Sequence, residues 1–219
     1  MKTLDQQINC ADRELTRRQS MKNVAVLFAA SPSVYDDFPE CDVYNFARDA
    51  RTFPGGLPVV AHPPCRLFSK LSYFSTAPLS EKELAYVAIK MVRENGGVLE
   101  HPAYSKLWAE AGLPRPGAGS DAFGGWTFSL LQWWFGHPAR KATWLYIVGT
   151  TTLPSFPLRL GEAQFQVGIR KGIKKGHPAW KPTIYGSRHN GASSATPSRF
   201  ARWLIALAKS CRSPSLHGA

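Results

Sequence analysis

The stretch from Leu57 to Glu100 limits what this chain can fold into more than any other. The apolar run "LPVVAH" (57–62) reads as a strand, and "GVLE" (97–100) as another. Between them Leu84, Val87, Ala88, Met91 and Val92 fall at helical spacing. Ser80 with Glu83 three residues on predicts a capping box at the helix start, and Asn95-Gly-Gly ends it. Strand, helix, strand in that order predicts a right-handed βαβ unit whose strands are parallel. Two further apolar runs, Val24–Ala30 and "WLYIVG" (144–149), and a weaker one, "DVYNF" (42–46), supply more strands. Alternation of strands and helices predicts an α/β fold, a mostly parallel sheet with helices on both faces. A last helix is expected from Thr196 as cap and Pro197 in the first turn, burying Phe200, Trp203, Leu204 and Leu207.

In such sheets ligands bind beyond the carboxyl ends of the strands. The first strand of the unit runs into His62-Pro-Pro-Cys65, a stiff turn because each proline fixes its own φ and restrains its predecessor. Glu100 closes the second strand, so a candidate nucleophile and a candidate acid share one sheet edge. His62, His101 and His137 come from turns able to reach the same place. With Cys65 they form an alternative metal-ligand set, since zinc favours nitrogen and sulfur donors.

The net charge of +12 is unevenly placed. Glu162 is the last acidic residue, and the segment from Ala163 to Ala219 carries ten Lys or Arg. A near-neutral body with a basic end fits a polyanion, because each cation set against a phosphate releases counterions. Arg170, Lys171, Lys174, Lys175, Lys181 and Arg188 are the expected phosphate contacts, with Trp180, Tyr185 and His189 able to stack on bases. Cys10, Cys41, Cys65 and Cys211 show no CxxC pair, which reads as a reduced, cytoplasmic protein. The polar N-terminus holds acids and no long apolar core, unlike a secretory signal, and no apolar run is long enough for a membrane span. The expected organisation is a polar extension (1–22), a core (23–150) and a basic C-terminal region (151–219).

"HPPCRLFS" (62–69) resembles the nucleophile motif G-x-P-C-Q-x-F-S of DNA cytosine-C5 methyltransferases, with Pro64, Cys65, Phe68 and Ser69 in register. "GGVLEHP" (96–102) is similar to that family's strand ending in Glu-Asn-Val, and "WWFGHPARKATWLYIVG" (133–149) to its later G-x-P-Q-x-R-x-R segment and strand. "LFA" (27–29) and "RDAR" (48–51) are similar to its cofactor motifs. The resemblance covers roughly residues 24 to 149. It implies a truncated, Rossmann-like methyltransferase-like core followed by a small basic region. It also implies DNA as partner and S-adenosylmethionine as methyl donor, with Phe28, Asp49 and Pro64 lining the donor site. Cys65 would attack C6 of a flipped-out cytosine, Glu100 would hold its N3/N4 edge, and Arg140 or Lys141 would supply a cation. Arg66 and Ser69 would contact the nucleic acid.

Three alternatives stay open on the residues themselves. Asp49 equally reads as a cap or a partner of Arg48 or Arg51. "VLFAASPS" (26–33) has no glycine, which favours a nucleic-acid-binding protein on a methyltransferase-like core without its cofactor. Converging histidines would instead favour a metal- or Cys-dependent enzyme on a small substrate.

Overall fold

The computed structural model describes residues 22–69, 72–156, 159, 161–167, 175–176, 181–184 and 195–213. Strands β1 (Val24–Leu27), β2 (Cys41–Tyr44), β3 (Val59–Ala61), β4 (Gly97–Pro102), β5 (Trp126–Leu131) and β6 (Ala142–Val148) form one six-stranded sheet in the order β2-β1-β3-β4-β6-β5. β1 to β4 are mutually parallel, and β6 is antiparallel to both β4 and β5. A two-stranded parallel ladder, β7 (Gln166–Val167) with β8 (Thr183–Ile184), lies apart from that sheet. Among the described residues no helix is long and apolar enough to cross a membrane.

Helix α1 (Ser80–Asn95) joins β3 to β4, α2 (Lys106–Glu110) follows β4, and α3 (Ser198–Ser210) closes the described chain. The central strands β1 and β3 are apolar throughout because both faces are covered. Ala25, Leu27, Val59, Ala61 and Leu99 pack with Ala85, Ala88, Ile89 and Val92 of α1. Their alternates Val24, Val26, Val60 and Val98 pack with Phe200, Leu204 and Leu207 of α3. The sheet is thus the middle layer of three, and the last helix is one of its two covers. Leu204 is fully buried there. Leu204→Ala is expected to cost about 2–5 kcal/mol by urea denaturation, as a buried Leu truncation that leaves a cavity does.

The parallel βαβ unit stands as the sequence predicts, while details at its ends differ. The Ser80–Glu83 capping box does not form. Leu79 before it is already helical, and the Pro78 and Leu79 carbonyls take the amides of Glu81 and Lys82. Ser80 therefore lies inside the first turn, where its backbone cannot serve as a cap. At α3 it is Pro197, extended, whose carbonyl accepts from Phe200 and Ala201, and Thr196 makes no cap. β1 stops at Leu27 rather than Ala30, because Phe28 turns to φ 59 and the Ala29 amide bonds to the Tyr44 carbonyl. The run at 144–149 is antiparallel, and its partner β5 has no counterpart in the sequence reading. The link from β5 to β6 is one 3-10 turn (Gln132–Phe135) and a loop, too short for the crossover a parallel pair needs.

β1 lies between β2 and β3, so the chain leaves it first to one side and then to the other. The crevice at the carboxyl ends of β1 and β3 is where an open sheet of this kind binds ligands.

Candidate active site

Four connections converge on that crevice. The β1–β2 crossover, with only a 3-10 turn (Val34–Asp37) for a helix, buries Tyr35 under the sheet edge. His62 extends β3 by one bond, its amide on the Leu27 carbonyl, before the two prolines end the ladder. Glu100 projects from β4 toward the α3 side, and Gln132 comes from the turn after β5.

These four side chains form one chain of hydrogen bonds. Tyr35 Oη lies 2.8 Å from His62 Nε2, His62 Nδ1 lies 3.0 Å from Glu100 Oε2, and Gln132 Nε2 donates to Glu100 Oε1 at 3.0 Å. Gln132 Nε2 also donates to Thr143 Oγ1 at 3.0 Å. The proton positions follow from the ends. Burial, then the Glu100 and Cys41 charges, hold the Tyr35 phenol well above its usual range, so it keeps its proton at the His62 contact. An ionised carboxylate can only accept, so His62 Nδ1–H donates to Glu100 Oε2.

Burial alone would raise the Glu100 carboxyl. The His62 hydrogen bond, with the charges of Lys141, His62 and His101, outweighs it and brings the group to about 2. Glu100 is therefore a held carboxylate at neutral pH. Cys65 follows the Pro-Pro turn and opens a 3-10 turn (Arg66–Phe68) whose Phe68 amide bonds to the Cys65 carbonyl. Its thiol is half-buried, raised first by burial and then by the Glu100 charge, and drawn back by Lys141. The site rests as thiol plus carboxylate, with Lys141 acting on both.

The structure separates the two candidate cations. Lys141 acts on Cys65 and Glu100, whereas the charge of exposed Arg140 acts on Glu162. The converging-histidine metal set does not assemble: among the described residues no group of three or more His, Cys, Asp or Glu could hold a metal. His137 Nδ1 bonds within its own loop to the Ala139 backbone. His101 points to the opposite face from Glu100, between Phe68 and Trp108.

The remaining predicted residues are mixed. Phe28 takes the left-handed turn after β1. Pro64 follows His62 at that edge, its carbonyl facing the His101 ring. Asp49 caps a 3-10 turn (Ala50–Thr52) and holds Arg51 through two side-chain nitrogens. Arg66 is paired with Glu81, and Ser69 Oγ donates to the Arg66 carbonyl. Lys181 pairs with Glu162 at 2.6 Å, and Lys175 is exposed. Arg170, Lys171, Lys174, Arg188, Trp180, Tyr185 and His189 lie outside the described residues, as do residues 1–21. Tyr35 and Gln132 escape a sequence reading, because each is a single residue in a turn with no spacing to mark it.

Two groups here make the fold acid-sensitive. Burial lowers His101 from 6.5 to about 4, so the folded chain binds fewer protons than the unfolded one and loses stability as pH falls between those values. Glu100, depressed to about 2, extends the loss from pH 4.5 downward. The His101 share is on the order of 3 kcal/mol. His101→Phe is expected to flatten the urea midpoint between pH 6.5 and 4 relative to wild type. An unchanged slope would mean that His101 titrates normally.

Comparison with family models, curated proteins and solved structures finds no match to this chain.

Proposed function

We propose that the protein is a DNA-directed enzyme of the cytosine-C5 methyltransferase type, in which Cys65 adds to C6 of an extrahelical cytosine held by Glu100. The observation that carries this is the meeting of Cys65, Glu100 and Lys141 at the carboxyl edge where strand order reverses about β1. A Rossmann-like core accords with the same edge. The Cys65 thiol loses its proton as the S–C6 bond forms. The ring's electron pair moves toward C5 and N3, and N3 takes up a proton. Glu100, being ionised, accepts from the N4 amine and the protonated N3. His62 and Gln132 fix its orientation, and Tyr35 fixes His62. Lys141 favours the thiolate. The basic C-terminal segment would hold phosphates, and Cys65 must stay reduced, which suits a cytoplasmic protein.

S-adenosylmethionine would supply the methyl group in this reading, but the residues assigned to it do not fit it as they stand. Ala30 and Pro32 occupy positions where glycine lets backbone approach a ligand, and Asp49 is held by Arg51. No step here runs through the donor. That same misfit favours a second reading, a nucleic-acid-binding protein that keeps the base site without the transfer.

The test needs no donor. Addition at C6 makes C5 basic, so C5 takes a proton from solvent; loss of the original C5 hydrogen as a proton and elimination of the Cys65 thiolate then restore the base with its hydrogen exchanged. Duplex DNA tritiated at cytosine C5 should release label with wild type and not with Cys65→Ser. A stable adduct on 5-fluorocytosine DNA only when S-adenosylmethionine is added would establish methyl transfer. DNA binding without release across several duplexes would establish the second reading, and no binding would sink both.

A further inference from the structure

Beside the end of β4, on the α1 side of the sheet, a cleft of about 390 Å³ is lined by Tyr104, Trp108, Trp144, Ser129 and Arg115. We propose that this cleft binds one nucleotide, its base stacked on the exposed Tyr104 ring and its phosphate on Arg115. The aromatic surface is built rather than incidental. Trp144 lies 5.0 Å from Tyr104 between ring centroids, tilted by 53°, and Trp108 meets Trp144 edge-on at 5.4 Å. Both tryptophans are buried behind Tyr104, and Trp108 Nε1 is spent on Thr127 Oγ1 at 2.9 Å, so they back the exposed ring without a competing indole donor from Trp108.

Tyr104 is 72% exposed, and its backbone sits at φ 63, a conformation a tyrosine adopts reluctantly. A large ring held in solvent by a disfavoured backbone wants a partner. Arg115 on the rim is exposed and has no carboxylate partner among the described residues. The rest of the lining includes no acid. An exposed tyrosine ring beside a guanidinium without a carboxylate partner suits a planar base with an attached phosphate, because arginine matches phosphate oxygens in a fork and every base has a π-face. The Ser129 hydroxyl adds a polar contact within reach of a sugar or base edge.

The cleft is distinct from the Cys65 site and stands without the chemistry proposed there. The nucleotide comes from one of two sources, a free mononucleotide or a unit of a strand crossing the sheet edge. Binding of fluorescein-labelled oligothymidylate and of deoxycytidine monophosphate to the whole chain, at several salt concentrations, separates them. Tyr104→Gly is the informative variant, since it removes the ring and relieves the backbone at once, so the fold should survive. It is expected to weaken binding roughly 5- to 150-fold at an unchanged or higher Tm, while Tyr104→Phe keeps affinity. Arg115→Gln should lower the salt slope for the oligonucleotide by about 0.7. Variant-sensitive binding of the mononucleotide identifies a free nucleotide as ligand, and variant-sensitive binding of the oligonucleotide alone identifies a strand. Wild-type affinity for both probes in both Tyr104→Gly and Arg115→Gln, or no binding by wild type, overturns the proposal. Because none of these readouts involves Cys65, tritium release can fail while this site holds, and the reverse.

Discussion

Gly97→Ala is expected to prevent folding or to cost about 4 kcal/mol or more, far beyond a usual surface change. Gly97 opens β4 at φ 128, a conformation that side-chain-bearing residues rarely adopt. A methyl group there would stand 2.1 Å from the Val59 carbonyl oxygen and 2.6 Å from its nitrogen, both backbone atoms. Those atoms cannot swing aside, because Val59 is the residue that registers β3 against β4 and its amide bonds to the Gly96 carbonyl. The pairing at stake is the one that brings Cys65 and Glu100 to a common edge. Gly112→Ala is the control: Gly112 sits at φ 62 with open space around it, so only backbone strain of about 1 kcal/mol applies. Urea midpoints of the two variants decide the matter. If Gly97→Ala falls within about 1 kcal/mol of Gly112→Ala, the two strands can separate without loss and the register argument fails.

The parallel pairing of those two strands, though not its register, was legible in the sequence for a physical reason. A helix of sixteen residues between two short apolar runs has only one compact arrangement, and Gly96-Gly97 marks where the chain must turn tightly into the second strand. The direction of β6 was not legible, because an all-apolar run carries no sign of which way it points. Trp126–Leu131 went unread as a strand, and its burial shows why: Thr127 and Leu130 are the buried positions, three residues apart, so no period of two marks it. The site divides along the same line. Cys65 and Glu100 follow from strands whose ends the sequence marks. Tyr35 and Gln132 depend on how two loops fold back, which no local pattern encodes. Between Arg140 and Lys141 the spacing offered no choice. The loop geometry does, tying the Lys141 carbonyl to the Gln132 amide at 2.9 Å beside Glu100.

Cys65→Ser should abolish exchange at cytosine C5 while leaving DNA binding and stability nearly intact. The loss is expected on the order of 10³-fold or more, since a hydroxyl is a far weaker nucleophile than a thiolate near neutral pH. The resting site adds a second, quantitative expectation. Burial and the Glu100 carboxylate both raise the Cys65 thiol, so the thiolate is scarce at pH 7. Exchange by wild type should therefore climb with pH, about tenfold per unit while the thiol remains mostly protonated. Lys141 is the group pulling the other way on both residues. Lys141→Gln should move the rise to higher pH and slow exchange at pH 7, yet leave the rate at high pH close to wild type. A purely structural lysine would lower the rate equally at every pH. A wild-type profile already flat from pH 7 to 9 would mean that Cys65 is ionised in the complex, with the bound base rather than Lys141 setting its charge.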